Sequence, residues 1–129
     1  MPRRIFIVDH DANARKMTRC FLESRARCEV CGEATDGKQG VIKAIDLNPD
    51  LVILDYSMAG MDGLHAAQEI SKAVPRACIL ICTLFPSHEL EVEALKVGVK
   101  QVISKSEMSK GLITIIENIR NNSKNDFVM

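Results

Sequence analysis

The chain has 129 residues, the size of one ordinary domain, with 47% hydrophobic and 26% charged residues. Lys+Arg and Asp+Glu both number 17, so net charge points neither to nucleic acid nor to an anionic membrane. No apolar run approaches the roughly 20 residues of a membrane span. The apolar run behind the basic start Met1-Pro2-Arg3-Arg4 is too short for a secretory signal, so a cytoplasmic protein is expected.

Ile5-Phe6-Ile7-Val8 reads as the first strand. It is continuously apolar, as a parallel strand covered on both faces requires. Ala14, Met17, Phe21 and Leu22 then recur at helical spacing. A weaker strand lies near Cys28 to Ala34. Its CxxC pair, Cys28 and Cys31, falls on opposite faces of a strand, which favours two small buried hydrophobes over a metal or redox pair. The total of 5 cysteines is odd and argues against a closed disulfide framework. Val41, Ala44, Ile45 and Leu47 mark the second helix, broken by Asn48-Pro49-Asp50. Leu51 to Leu54 is the third strand, and Leu64, Ala67 and Ile70 the third helix. Cys78 to Cys82 is the fourth strand, with both cysteines expected in the core. Leu90, Ala94 and Leu95 mark the fourth helix. Ser87 is its N-cap, and Glu89 and Glu91 lie near the positive end of its dipole. Val102-Ile103 is the last strand, followed by a helix through Leu112, Ile115, Ile116 and Ile119. The polar run from Asn121 to Asp126 reads as frayed, giving a domain over 1–121 and a tail or linker over 122–129. Five strand–helix units in a row predict an α/β fold: a doubly wound five-stranded parallel sheet with five helices.

The reactive groups cluster at strand ends. Asp9, His10 and Asp11 follow Val8, Asp55 follows Leu54, Thr83 follows Cys82, and Lys105 follows Ile103-Ser104. Any one alone reads as a solvated loop residue. An open parallel sheet, however, binds ligands outside the carboxyl ends of its strands, so this fold gathers all of them at one crevice. Crowded carboxylates repel one another and favour a hard divalent cation. A carboxylate also serves as a nucleophile toward phosphorus. A lysine supplies a point charge for a phosphoryl oxygen, and a threonine hydroxyl can donate to another. Together these describe a cation-assisted phosphoryl-transfer site.

The stretch PDLVILDYSMAGMDG, Pro49 to Gly63, resembles the phosphoacceptor strand and loop of the receiver domain of bacterial two-component response regulators. Met58, Met61, Asp62 and Gly63 stand in that family's usual places, and the likeness covers nearly the whole chain. It implies the flavodoxin-like receiver fold, with Asp55 as phosphoacceptor. Thr83, ending ILICT, falls at the switch hydroxyl, and Lys105, ending VISK, at the family's lysine. Mg²⁺ (or Mn²⁺) would be held by Asp9, Asp55 and the backbone carbonyl of Ser57, with His10 or Asp11 completing the set. A histidine kinase is the implied phosphoryl source. An output domain or second receiver would bind through the fourth helix, fifth strand and fifth helix. The resemblance implies no direct nucleic-acid binding, no membrane contact, and no enzyme activity beyond self-assisted phosphotransfer and dephosphorylation. No output domain lies within these residues, so the chain reads as a stand-alone receiver or a piece of a longer regulator.

The sequence departs from that pattern at several positions. His10 stands where the family usually has its second metal-binding acid, and imidazole suits softer divalent ions than Mg²⁺. Ala59 replaces a usual proline. Val102 stands at the position of the mobile aromatic. Ser106 replaces the proline that often follows the lysine, which makes a cis peptide there less expected. The His10 change admits an alternative: a degenerate, phosphorylation-independent receiver that acts as a binding module. A further alternative comes from Asp9-His10-Asp11 as a DxD after a strand. It is similar to haloacid-dehalogenase-like phosphatases, but it leaves Asp55 and its Met-Asp-Gly loop without a role. His65 and His88 read as surface residues.

Overall fold

The computed structural model describes residues 3–25 and 27–128, with side chains through Asn118. Met1, Pro2 and the Ile119 side chain lie outside the described residues. The strands are β1 Arg3–Val8, β2 Cys28–Ala34, β3 Leu51–Asp55, β4 Cys78–Thr83 and β5 Gln101–Ser104. The helices are α1 Ala12–Glu23, α2 Gly37–Leu47, α3 Gly63–Ala73, α4 His88–Lys96 and α5 Met108–Val128, with a short 3₁₀ turn over Lys105–Glu107. The strands form one parallel sheet in the order β2-β1-β3-β4-β5. This is the doubly wound arrangement expected from the alternation of elements.

Strand alternation divides the core into two layers. Phe6, Val8, Val52, Leu54, Ile79 and Ile81 pack with Ala44, Ala67, Ile70 and Ala94, which places α2, α3 and α4 on one face. Ile5, Ile7, Leu51, Ile53, Leu80 and Ile103 pack with Leu22, Leu112 and Ile115, which places α1 and α5 on the other. Cys28 joins the second layer and Cys31 the first, as their spacing requires. All five cysteines are free thiols.

Side chains end and start the helices as the sequence suggests. Ser87 accepts from the Leu90 N–H at 3.1 Å and caps α4. Asn48 ends α2 in the left-handed region, at φ 48°.

The helix faces hold corrections. Met17, Ile45 and Leu95, all expected on buried stripes, are 73%, 57% and 66% exposed. In α1 the inward position is Thr18, whose hydroxyl donates to Met108 Sδ at 3.9 Å. In α2 the inward stripe is Gly37, Gly40 and Ala44. A Cβ at Gly40 would meet Val8 Cγ1 at 3.1 Å, so this helix lies close to the sheet on small residues and turns Ile45 outward. In α4 the buried pair is Leu90 and Ala94, and Leu95 stands one position around the helix. Finally, α5 continues to Val128 where a frayed tail is expected after Arg120. The run holds no Pro or Gly after Gly111 to stop it.

Candidate functional site

Each strand delivers its polar group to the same end of the sheet. Asp9 follows β1 directly, Asp55 and Thr83 are the last residues of β3 and β4, and Lys105 follows β5. The residues are nearly enclosed: Asp55 is 2% exposed, and Asp9 and Thr83 are each 7% exposed.

Lys105 Nζ bridges the two carboxylates, 3.0 Å from Asp55 Oδ1 and 3.4 Å from Asp9 Oδ2. The opposite side of the pair faces imidazole. His10 Nδ1 lies 3.2 Å from Asp55 Oδ2 and 3.7 Å from Asp9 Oδ1. Asp9, His10 and Asp55 thus offer three ligand atoms, all within 4.8 Å of one another.

Asp11 has a different place. Its carboxylate accepts from the Asn13 N–H at 3.0 Å and caps α1. Its own N–H donates to Asp9 Oδ1 at 3.0 Å. Of the two candidates after Asp9, His10 is therefore the one that faces Asp55. A capping Asp11 is also not a free general acid of the kind the DxD phosphatase reading needs.

The loop after β3 is built from backbone contacts. The Ser57 N–H donates to Asp55 Oδ1 at 3.4 Å, and the Gly63 N–H donates to the Tyr56 carbonyl at 2.8 Å. Asp62 accepts from the His65 N–H at 2.9 Å and starts α3. A Cβ at Gly63 would meet Tyr56 Cα at 2.7 Å and the Asp55 carbonyl oxygen at 2.8 Å, so only glycine lets this helix start against the site. Thr83 Oγ1 accepts from the Phe85 N–H at 3.2 Å. Thr83 therefore anchors a loop carrying Leu84 and Phe85, which are 65% and 84% exposed.

The electrostatics follow from burial. Desolvation pushes the Asp9 carboxyl above its ordinary 3.8, against the Asp11 N–H, and the Asp55 charge pushes it further up. Burial works against the Lys105 ammonium, yet its hydrogen bond to Asp55 and the Asp9 charge hold it above 10.5. Burial pushes the Cys82 thiol, at the end of β4 beside Thr83, up to about 12, so it is an inert neighbour.

The donor set suits a divalent cation: buried carboxylate oxygens crowd together and share a single lysine. Oxygen donors fit Mg²⁺, and the imidazole adds a nitrogen that fits softer ions.

Sequence reasoning missed the clamp behind this loop. Arg15 Nη1 donates to the Asp9 carbonyl at 2.7 Å, and Arg15 Nε donates to Glu33 Oε1 at 3.1 Å. Glu33 Oε2 also takes Arg19 Nε at 2.6 Å. Arg15 and Arg19, spaced i,i+4 on the helix beside an acidic loop, were the available signal.

Fold and site define a flavodoxin-like α/β domain whose strand ends carry a buried carboxylate pair bridged by lysine. The chain belongs to the response regulator receiver domain family, whose model matches residues 5–117. It is 39% identical over 105 residues to the chemotaxis protein CheY of Thermotoga maritima, covering 81% of this chain and 87% of that one. It is 32% identical to the response regulator protein VraR of Staphylococcus aureus, covering 96% of this chain and 57% of that protein. Among solved structures it matches the response regulator domain of Thermotoga maritima CheB with a TM-score of 0.83 at 26% identity, covering 94% and 96% of the two chains. It spans most of the CheY relative but only about half of VraR. Among the described residues no helix is long and apolar enough to cross a membrane.

Proposed function

We propose that this domain is a phosphorylation-switched receiver in which Asp55 accepts a phosphoryl group from a histidine kinase or a small phosphodonor. The observation that carries this reading is Asp55 itself. It is 2% exposed at the end of β3, held by Lys105 at 3.0 Å, and faces the Asp9–His10 loop.

In the transfer, a carboxylate oxygen of Asp55 bonds to phosphorus as the bond to the donor's leaving group breaks. The leaving nitrogen or oxygen takes a proton from solvent or the kinase. Lys105 Nζ, already between the carboxylates, is within reach of a phosphoryl oxygen and offsets its charge. The Thr83 hydroxyl, which among the described residues only accepts from the Phe85 N–H, has its proton free to donate to another phosphoryl oxygen. A divalent cation held by Asp9, Asp55, the Ser57 carbonyl and His10 supplies the remaining positive charge when bound. The domain is a phosphoacceptor, not an enzyme acting on a separate substrate.

The readout surface in this reading is α4, β5 and α5. A groove of about 240 Å³ there is lined by Ala94, Leu95, Val99, Lys100 and Val102. An output domain or second receiver binds this face in the cytoplasm. Recruitment of Thr83 to the phosphoryl group biases the two states of that face.

Treatment with a small phosphodonor and Mg²⁺ or Mn²⁺ adds the mass of one phosphate, and Asp55→Asn abolishes it. No labelling with either ion overturns the reading.

One observation favours a second reading. His10 occupies the open side of Asp55, which suits a binding module that works without phosphorylation. A titration silent to both ions, followed through Tyr56 next to Asp55, supports that alternative.

A further inference from the structure

The two buried carboxylates present their oxygens in a divided way. Lys105 takes Asp55 Oδ1 and Asp9 Oδ2, while Asp55 Oδ2 and Asp9 Oδ1 face His10 Nδ1 at 3.2 and 3.7 Å. Asp55 Oδ2 has no other partner among the described residues, although its side chain is only 2% exposed. Donors that share one small ion, each about 2.1 Å from it, lie roughly 3.0–3.4 Å apart at octahedral or tetrahedral angles. The observed separations approach that spacing. The His10 side chain is 62% exposed, so the ring can adjust and solvent can complete a coordination shell.

The identity of the donor then decides the ion. Mg²⁺ binds through charge and oxygen, and gives up its waters reluctantly. A neutral imidazole in place of a carboxylate lowers the negative charge of the crevice by one. Mg²⁺ loses most from that change. A first-row transition dication regains part of the loss through its stronger bond to nitrogen, increasingly so along the series from Mn²⁺.

We infer that His10 Nδ1 is a direct ligand, and that it turns this crevice into a mixed nitrogen–oxygen site selecting a first-row transition dication over Mg²⁺. This rests on the reading of the crevice as a cation-assisted phosphoryl site, and names the class of ion it takes.

The test is calorimetric titration of the full chain with Mg²⁺ and with Mn²⁺, for the wild type, His10→Asp and His10→Ala. Mn²⁺ is the probe because the free thiols favour softer ions. Subtracting the Asp55→Asn titration removes binding elsewhere. The expected result is a Mn²⁺-over-Mg²⁺ affinity ratio on the order of tenfold larger in the wild type than in His10→Asp. His10→Ala, which removes the imidazole without adding charge, loses Mn²⁺ affinity. Electron spin echo spectra of bound Mn²⁺ carry a nitrogen coupling in the wild type that both variants lack. An equal ratio in wild type and His10→Asp, no nitrogen coupling, or no cation binding by the wild type overturns the inference. Phosphodonor labelling of Asp55 is scored separately. Labelling without cation selectivity leaves the receiver reading intact, and selectivity without labelling removes that reading but not the cation preference.

Discussion

Arg15 Nη1 donates to the backbone carbonyl of Asp9 at 2.7 Å, so a helix side chain holds the peptide that joins Asp9 to His10. Arg15 is only 16% exposed, and Glu33 at the end of β2 fixes its other edge at 3.1 Å. The guanidinium fork matters here, because one planar group serves a carbonyl and a carboxylate together. Arg15→Ala is expected to weaken cation binding on the order of tenfold, as loss of a group orienting a ligand typically does. Arg15→Lys restores charge but not the fork, and is expected to recover only part of the loss. Cation affinities from calorimetry check this. Affinity unchanged in Arg15→Ala removes the clamp as a determinant of the site.

Asp9 gives a prediction of opposite sign for stability and binding. Desolvation first, then the Asp55 charge, raises its folded pKa above 3.8. A raised carboxylate favours the folded state only while it is protonated. Its contribution is fully present below the unfolded pKa and is lost as pH rises through the folded value. Once ionised, the Asp9 carboxylate of the cation-free protein is therefore a charge that burial disfavours. Asp9→Asn is expected to raise Tm at pH 7 by a few degrees, an increment of about 1 kcal/mol, while cation affinity falls. Thermal melts at pH 7 without divalent ions, beside a cation titration, check both halves. A lower Tm in Asp9→Asn counts against the desolvation argument.

Asp50 behaves in the reverse sense, far from the crevice. Burial pushes its carboxyl up, but the Arg4 N–H at 2.8 Å and Arg76 Nη1 at 2.9 Å outweigh it and hold the pKa below 3.8. Its contribution is present above the unfolded pKa and is lost as pH falls through the folded value. Arg76→Ala is expected to shift the acid-unfolding midpoint to higher pH. The cost at pH 7 is modest, about 0.5 kcal/mol, because the Arg76 side chain is 53% exposed. Circular dichroism across an acid titration reads this, and an unmoved midpoint contradicts it.

Gly63 is expected to tolerate no side chain. A Cβ at this position would meet backbone at 2.7 and 2.8 Å, and backbone cannot yield as a flexible side-chain end can. Gly63→Ala should cost about 2 kcal/mol and displace the Asp55–Tyr56 peptide. Denaturant unfolding gives the stability change, and slower phosphodonor labelling reports the displaced site. A stable, normally labelled variant argues that α3 can shift without cost.

Much of this domain is readable from residue order. Continuously apolar runs such as Leu51 to Leu54 need cover on both faces, and amphipathic stretches between them supply it, so a parallel doubly wound sheet follows. That sheet has one ligand-binding edge, which is why Asp9, Asp55, Thr83 and Lys105 could be grouped without coordinates. Helix faces were less legible. Met17, Ile45 and Leu95 are as apolar as their buried neighbours, and what leaves them outside is which side of each helix approaches the sheet. Gly40 against Val8 sets that approach for α2, and no local pattern records it.

By itself, then, the sequence determined the fold and the strand ends that carry chemistry, because these depend on periodicity and chain order, while the family showed in a resemblance carried by the stretch from Pro49 to Gly63. Only the tertiary structure decided between His10 and Asp11. Both follow Asp9 within two residues, and both offer a ligand atom. Capping α1 engages Asp11 Oδ1 and leaves the imidazole of His10 facing Asp55 Oδ2 at 3.2 Å. The start of a helix, a three-dimensional event with its own hydrogen-bond demand, decided which side chain faces Asp55.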